Sequence, residues 1–235
     1  MKQIYFLYIV VVMLLSCNYH SESGSGNIIN QKRMVSSFNS ISANNAFDVE
    51  IKIGSPIEVT VETDDNIMKY VLTEVKGNTL KIYLDDMENF SNAHLKAFVT
   101  MPELNSIKSS SAAEVKVLDE IKNTGKLNFD ASSAGKIEAL VNAPDVNAEA
   151  SSAGAIILSG KTRYYHANAS SGGNINSMDL LAETTEAAAS SAGTADVHAS
   201  VNLNADASSG GSINYKGGGN VKVNTSSGGS VNKKE

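Results

Sequence analysis

The sequence is poor in the residues that usually announce a function. It has one cysteine, no tryptophan, three prolines and four histidines in 235 residues. One cysteine cannot close an internal disulfide, and neither a Cys-based metal spacing nor an H-E-x-x-H string is present. His20, His94, His166 and His198 stand without partner motifs and read as solvated side chains, not ligands. No Gly-x-Ser-x-Gly elbow aims a serine for attack, and no strand–loop–helix context with a following lysine makes the glycine pairs a phosphate cradle. No cofactor and no metal follow from any of this.

Long apolar runs are missing too, apart from one at the start. Ile4 to Leu15 is almost unbroken, but twelve residues are too few to span a bilayer as a mature helix. After Met1-Lys2-Gln3 the run fits the core of a secretory signal. Leu14-Leu15-Ser16-Cys17 completes a string that resembles a bacterial lipobox, which assigns the lone thiol of Cys17 to acylation. Residues 1–16 are expected to be a removed signal peptide. Residues 17–37 are expected to be the lipidated end and a flexible, Ser/Gly-rich tether. Two or more acyl chains, palmitate among them, would hold the chain in a lipid bilayer. The expected address is the cell envelope, the outer membrane ahead of the inner, with the exposed face left open. Once Lys2 is removed, 18 Lys+Arg stand against 25 Asp+Glu, a net charge of −7. Such a surface lacks the basic patch that nucleic acid requires.

What the sequence has in abundance is a repeat, the first thing to seek because missing it mis-assigns the fold. Ser-Ser plus two small residues recurs with first serines at Ser110, Ser132, Ser151, Ser170, Ser190, Ser208 and Ser226, in steps of 22, 19, 19, 20, 18 and 18. Before each copy, apolar or small residues alternate with Asn, Asp or Glu, as in Leu127-Asn128-Phe129-Asp130-Ala131. After it a β-branched residue usually returns, as at Ile137, Ile156, Ile175 and Ile213. Period-two alternation marks half-buried strands. One coil of about 19 residues cannot bury its own apolar face, so coils must stack with equivalent strands paired. The expectation is an all-β, single-stranded parallel β-helix over residues 105–232. Continuing the alternation from Phe129 and Ala131 points Ser133 inward, with Ala134-Gly135 making the corner and Gly taking positive φ. Ser111, Ser133, Ser152, Ser171, Ser191, Ser209 and Ser227 would then form one internal column of hydroxyls, each donating to the next. Asp130, Glu149, Asn168, Asp206 and Asn224 would form an outward stripe at equivalent positions. Of Tyr164 and Tyr165, one is expected inside and one outside.

Residues 38–104 differ. Seven of the eleven aromatic residues of the mature chain lie before residue 105, so the bulkier core belongs here. Phe47 to Ile53 alternates, Gly54-Ser55-Pro56 turns, and Ile57 to Val61 alternates again, which reads as a hairpin-like pair of strands. Asp64-Asp65-Asn66 is placed to cap a short helix through Val71 or Leu72. Gly77-Asn78 is a turn before a strand at Thr79 to Leu84, and Lys96 to Met101 is another strand. With no linker in view, this region is expected to supply the N-terminal coils and cap of the same solenoid, with one short helix.

Together the lipobox, Glu62-Thr63-Asp64-Asp65-Asn66, Val75-Lys76-Gly77-Asn78-Thr79-Leu80-Lys81-Ile82 and the repeats resemble the auto-transporter adhesin head GIN domain family of Bacteroidetes-type bacteria. The Gly-x-Ile-Asn string stands at Gly173-Asn174-Ile175-Asn176 and Gly211-Ser212-Ile213-Asn214, with Gly229-Ser230-Val231-Asn232 as a near copy. The resemblance covers about residues 38–232, implies a parallel β-helix, and carries over no catalytic residue. The leading expectation is a non-enzymatic envelope module offering its rigid surface to a glycan or a surface protein. One rival is a polysaccharide-acting enzyme that uses Asp130, Glu149 and Asp206 as an acidic stripe, since such chemistry needs two spaced carboxylates. The other is a structural protein that stacks end to end. Lys233-Lys234-Glu235 would blunt one edge and favour a monomer or weak self-association.

Overall fold

The computed structural model describes residues 21–85 and 89–235. The signal segment and Cys17 lie outside the described residues. From Ser106 onward each coil lays strands on the same faces in the same order. The first face stacks Ser106–Ser109, Lys126–Ala131, residues 145–150, 164–169 and 184–189, Asn202–Ala207 and Asn220–Thr225, all parallel. The second stacks residues 114–117, 136–138, 155–157 and 174–176, then Thr194–His198, Ser212–Lys216 and Ser230–Lys233. A third face pairs residues 120–122, 140–143, 159–162 and 179–182. In the middle coils one continuous strand wraps all three sides, as in Lys136–Ala150, Ala155–Ala169 and Asn174–Ala189.

Alternation does the packing. Val115, Ile137, Ile156, Ile175 and Ile213 form one internal row and are fully buried. Burying each such side chain stabilises by roughly 1.5–3 kcal/mol. Ala131, Ala150, Ala169, Ala189 and Ala207 form a second, thin row beside the corner. The Ile-Asn string now has a physical meaning. Its Ile points in, and its Asn joins an outer ladder, Asn176–Asp196–Asn214–Asn232. There Asn214 Nδ2 donates to Asp196 Oδ1 at 2.7 Å.

The N-terminal region continues the solenoid by one coil and then closes it. Ser40–Ala43 and Asp48–Ile53 stack beneath Ser106–Ser109 and residues 114–117. Thr79–Leu84 and Leu95–Met101 add in parallel below them. Glu58–Asp64, Ile28–Lys32 and Val71–Lys76 then pair antiparallel, giving one curled mixed sheet. Phe38, Phe47, Ile67, Leu80 and Met101 fill it.

Three expectations change here. Asp48–Ile53 and Glu58–Asp64 are strands but not a hairpin, because Leu95–Met101 lies between them. Asp48–Ile53 must keep the parallel register of the second face, so its free edge takes a parallel partner. The short helix is only a 3₁₀ turn, Met68–Tyr70, without a side-chain cap. The acidic residues before it are engaged elsewhere. The Gly26 and His94 amides donate to Asp64 at 2.7 and 2.8 Å. Ser25 Oγ and Asn27 Nδ2 donate to Asp65, and Asn66 Nδ2 donates to Ser23 O at 2.9 Å. The flexible tether therefore does not extend to residue 37. Ser21–Ser23 pairs with Asn89–Ser91, and Ile28–Lys32 is a sheet strand.

Candidate functional site

The Ser-Ser corners build the regular surface. In each, the second Ser and the residue after it have positive φ, for example Ser133 at 48° and Ala134 at 61°. The Gly135 amide donates to Ser132 O at 2.8 Å. Two positive φ values and that closing bond define a type I′ turn. Corners stack through the backbone: Ala134 N–H donates to Ser152 O, and Ala153 N–H to Ser171 O. Ser111, Ser133, Ser152, Ser171, Ser191, Ser209 and Ser227 thus lie over one another, but every one is exposed. The internal hydroxyl column is corrected: the central residues of a I′ turn form its outer tip, so the strand parity breaks there. Glycine's role is corrected as well. Gly135 does not take positive φ; a Cβ on it would stand 2.3 Å from Ser109 O of the coil below. An eighth corner, Asn44-Asn45-Ala46-Phe47, has the same two positive φ values and lacks serine altogether. Its Ala46 N–H donates to Ser111 O.

Asp130, Glu149, Asn168, Asp206 and Asn224 fall in one register row of the first face, with Ala188 between Asn168 and Asp206. Lys108 Nζ lies 3.2 Å from Asp130. Asn147 Nδ2 donates to Glu149 at 3.1 Å, and Asn224 Nδ2 donates to Asp206 at 2.6 Å. The row is a surface with its charges partly met, not a cleft. Ala188 leaves a shallow notch of about 230 Å³ beside His166, Glu186 and Asp206. His166 Nδ1 lies 3.2 Å from Glu186. Among the described residues no group of three His, Cys, Asp or Glu is placed to hold a metal. Tyr165 is buried and Tyr164 is 49% exposed, as the alternation predicts.

A roomier hollow than this notch lies elsewhere, where the third face ends. It measures about 610 Å³ and is bordered by Asn142, Lys161, Arg163, Leu181, Glu183 and His198. Motif reading missed these residues because no motif contains them. The signal that could have found them is the step length, which falls from 20 to 18 at Ser190.

Stacked parallel coils with I′ corners and solvated outer rows define a parallel β-helix architecture. The sequence profile of the family described as "Putative auto-transporter adhesin, head GIN domain" matches residues 37–219, and the chain belongs to that family. A "putative adhesin" from Bacteroides fragilis has the same fold, with a TM-score of 0.83 and 21% identity over 90% of this chain and 99% of its own. A "putative adhesin" from Parabacteroides merdae gives 0.69 at 17% identity over 91% and 98%. A "putative lipid binding protein" from Parabacteroides distasonis gives 0.68 at 21% identity over 92% and 100%. At such identities the likeness is one of fold, and one fold carries different functional descriptions. No protein of curated function matches the chain.

Proposed function

We propose that this is a non-enzymatic lipoprotein of the cell envelope that is held by acylated Cys17 and offers a rigid β-helix surface to a glycan or a surface protein. The observation that carries the reading is the outer row from Asp130 to Asn224. Its side chains stand at coil spacing on an open face, repeated as a scaffold repeats. Catalytic carboxylates on a sugar need a cleft and two defined positions. Here Asp130 is paired with Lys108, and Glu149 accepts from Asn147. Glu149 and Asp206 are three coils apart, roughly 14 Å at about 4.8 Å per coil.

An anchor at Cys17 fixes the orientation. Four extended residues reach about 14 Å, so the clamped strand at Ser21 keeps the closed end near the bilayer. The last coil then stands at the far end of the stack. Protease treatment of intact cells tests display, and labelled palmitate tests the anchor. Cleavage of the solenoid in intact cells, with label lost in Cys17→Ser, is expected. A fully protected domain removes the surface role, and label retained in Cys17→Ser removes the anchor.

A further inference from the structure

The hollow at the end of the third face has a structural origin. The coil from Ser170 to Ser190 has two more residues than the coil from Ser190 to Ser208. Residues 179–182 still pair with residues 159–162. In the next coil the strand stops at His198 and resumes at Asn202. The Ser200 and Val201 amides donate back to Ala182 O and Glu183 O, so the chain cuts the corner. The longer coils above overhang this shortcut, and the groove is the resulting step.

Its chemistry is uneven in an informative way. Between Ser106 and Ser200 there are seven Lys and Arg residues. Lys108, Lys116, Lys122, Lys126 and Lys136 each meet a carboxylate within 4 Å. Lys161 and Arg163 do not, although both are exposed and border the groove. Alternation puts them on the same side of one strand. Glu183 belongs to the adjoining coil beyond the Thr162–Ala182 pair, and it forms no ion pair with Arg163 among the described residues. Leu181, 58% exposed, supplies an apolar patch between the polar walls. His198 adds a ring Nδ1 that is shut from water and has no hydrogen-bond partner.

We propose that this groove binds a carboxylate-bearing sugar unit of an acidic saccharide; the inference rests on the surface-binding reading above and gives it a site and a ligand class. Arg163 and Lys161 take the carboxylate through charge-assisted bonds, the arginine fork in bidentate fashion. Leu181 lies under the apolar side of the ring, while Glu183 and Asn142 accept from and donate to hydroxyls. The volume falls within the roughly 300–1,000 Å³ of small-ligand sites. Glu183 also sets the selectivity. It disfavours a bare polyanion and favours a ligand with both a carboxylate and hydroxyl groups.

The test uses the full chain in detergent on an array of uronate- and sialate-containing oligosaccharides, their carboxyl-reduced neutral counterparts, and polyphosphate. Expected is binding of acidic sugars, at least tenfold weaker for the neutral forms and for polyphosphate. Lys161→Ala/Arg163→Ala should weaken binding at least tenfold at an unchanged melting temperature, and Arg163→Lys should lose less. Lys32→Ala/Lys52→Ala, an equal loss of two exposed charges in the N-terminal sheet and outside the groove, should bind as the parent does. Acidic-sugar binding that survives the double variant overturns the site and leaves the surface-binding reading standing. Binding of neutral glycans or of polyphosphate alone overturns the ligand class in the same way. Silence across the array, together with no binding to surface-protein extracts, overturns both.

Discussion

Gly173 shows how closely the coils approach. A Cβ there would stand 2.3 Å from Ala150 O, which is backbone and cannot move aside. Gly173→Ala is expected to cost about 3 kcal/mol by overpacking. Its neighbour Gly172 has φ +72° and open space, and Ala already fills that place at Ala134, Ala153 and Ala192. Gly172→Ala should therefore cost about 1 kcal/mol, the ordinary left-handed penalty. Equal drops in urea midpoint for the two variants would refute this account of the corner. Tyr165 is a second pressure point. Its ring is buried, and burial pushes the phenol pKa up. The neighbouring Ser177 spends its own proton on Asp196 O at 2.7 Å and has none to give the phenol, which stands without a hydrogen-bond partner although the nearby hydroxyl opposes the rise in its pKa. Tyr165→Phe should raise stability by about 1 kcal/mol, because it removes an unsatisfied group and keeps the ring. A lower melting temperature would mean that the hydroxyl has a partner.

At the scale of elements, the N-terminal clamp is the contact most open to pH. The amide of His94 donates to Asp64 and holds its carboxyl below the usual range; burial opposes this, and the Gly26 amide adds to it. A lowered folded-state pKa contributes stability that is complete above the unfolded value, about 3.9. That contribution fades as pH falls through the folded value. Amides of Ser21–Asn27 should thus have lower protection factors, corrected for the intrinsic slowing of exchange in acid, below about pH 4 than at neutrality. Asp64→Asn should show fast exchange already at pH 7, since one amide oxygen cannot serve both donors; the cost should be about 2 kcal/mol. Unchanged protection in the variant would show that strand pairing alone holds the segment. The strands themselves were legible from alternation. Their partners were not: the wedge of Leu95–Met101 between Asp48–Ile53 and Glu58–Asp64 is a long-range choice that alternation does not encode.

For the whole molecule, the two ends are unequal. The N-terminal sheet covers one end with bulky side chains. At the other, Asn220–Thr225 is exposed along its whole length. Val221 and Val223 occupy inward rows but remain 42% and 45% exposed. An open edge with apolar side chains invites pairing, and lysines are a common deterrent. Lys222, Lys233 and Lys234 stand at this end. Replacing all three with Thr should drive concentration-dependent association in sedimentation velocity. A triple variant that stays monomeric at the same concentrations would show that the edge is inert without them.

The amino-acid order alone determined the period of the coil, the alternation of its strands, the division of Tyr164 and Tyr165 between the two sides and the family resemblance. All of these are local or repeat over short spans, so spacing carries them. The tertiary structure decided three further things. It turned the second serine of each pair outward, because a I′ turn interrupts strand parity over just two residues. It redirected Asp64, Asp65 and Asn66 from a helix start to the clamping of a distant segment. It also opened the groove beside Lys161 and Arg163, because losing two residues from one coil matters only once that coil lies against its longer neighbour.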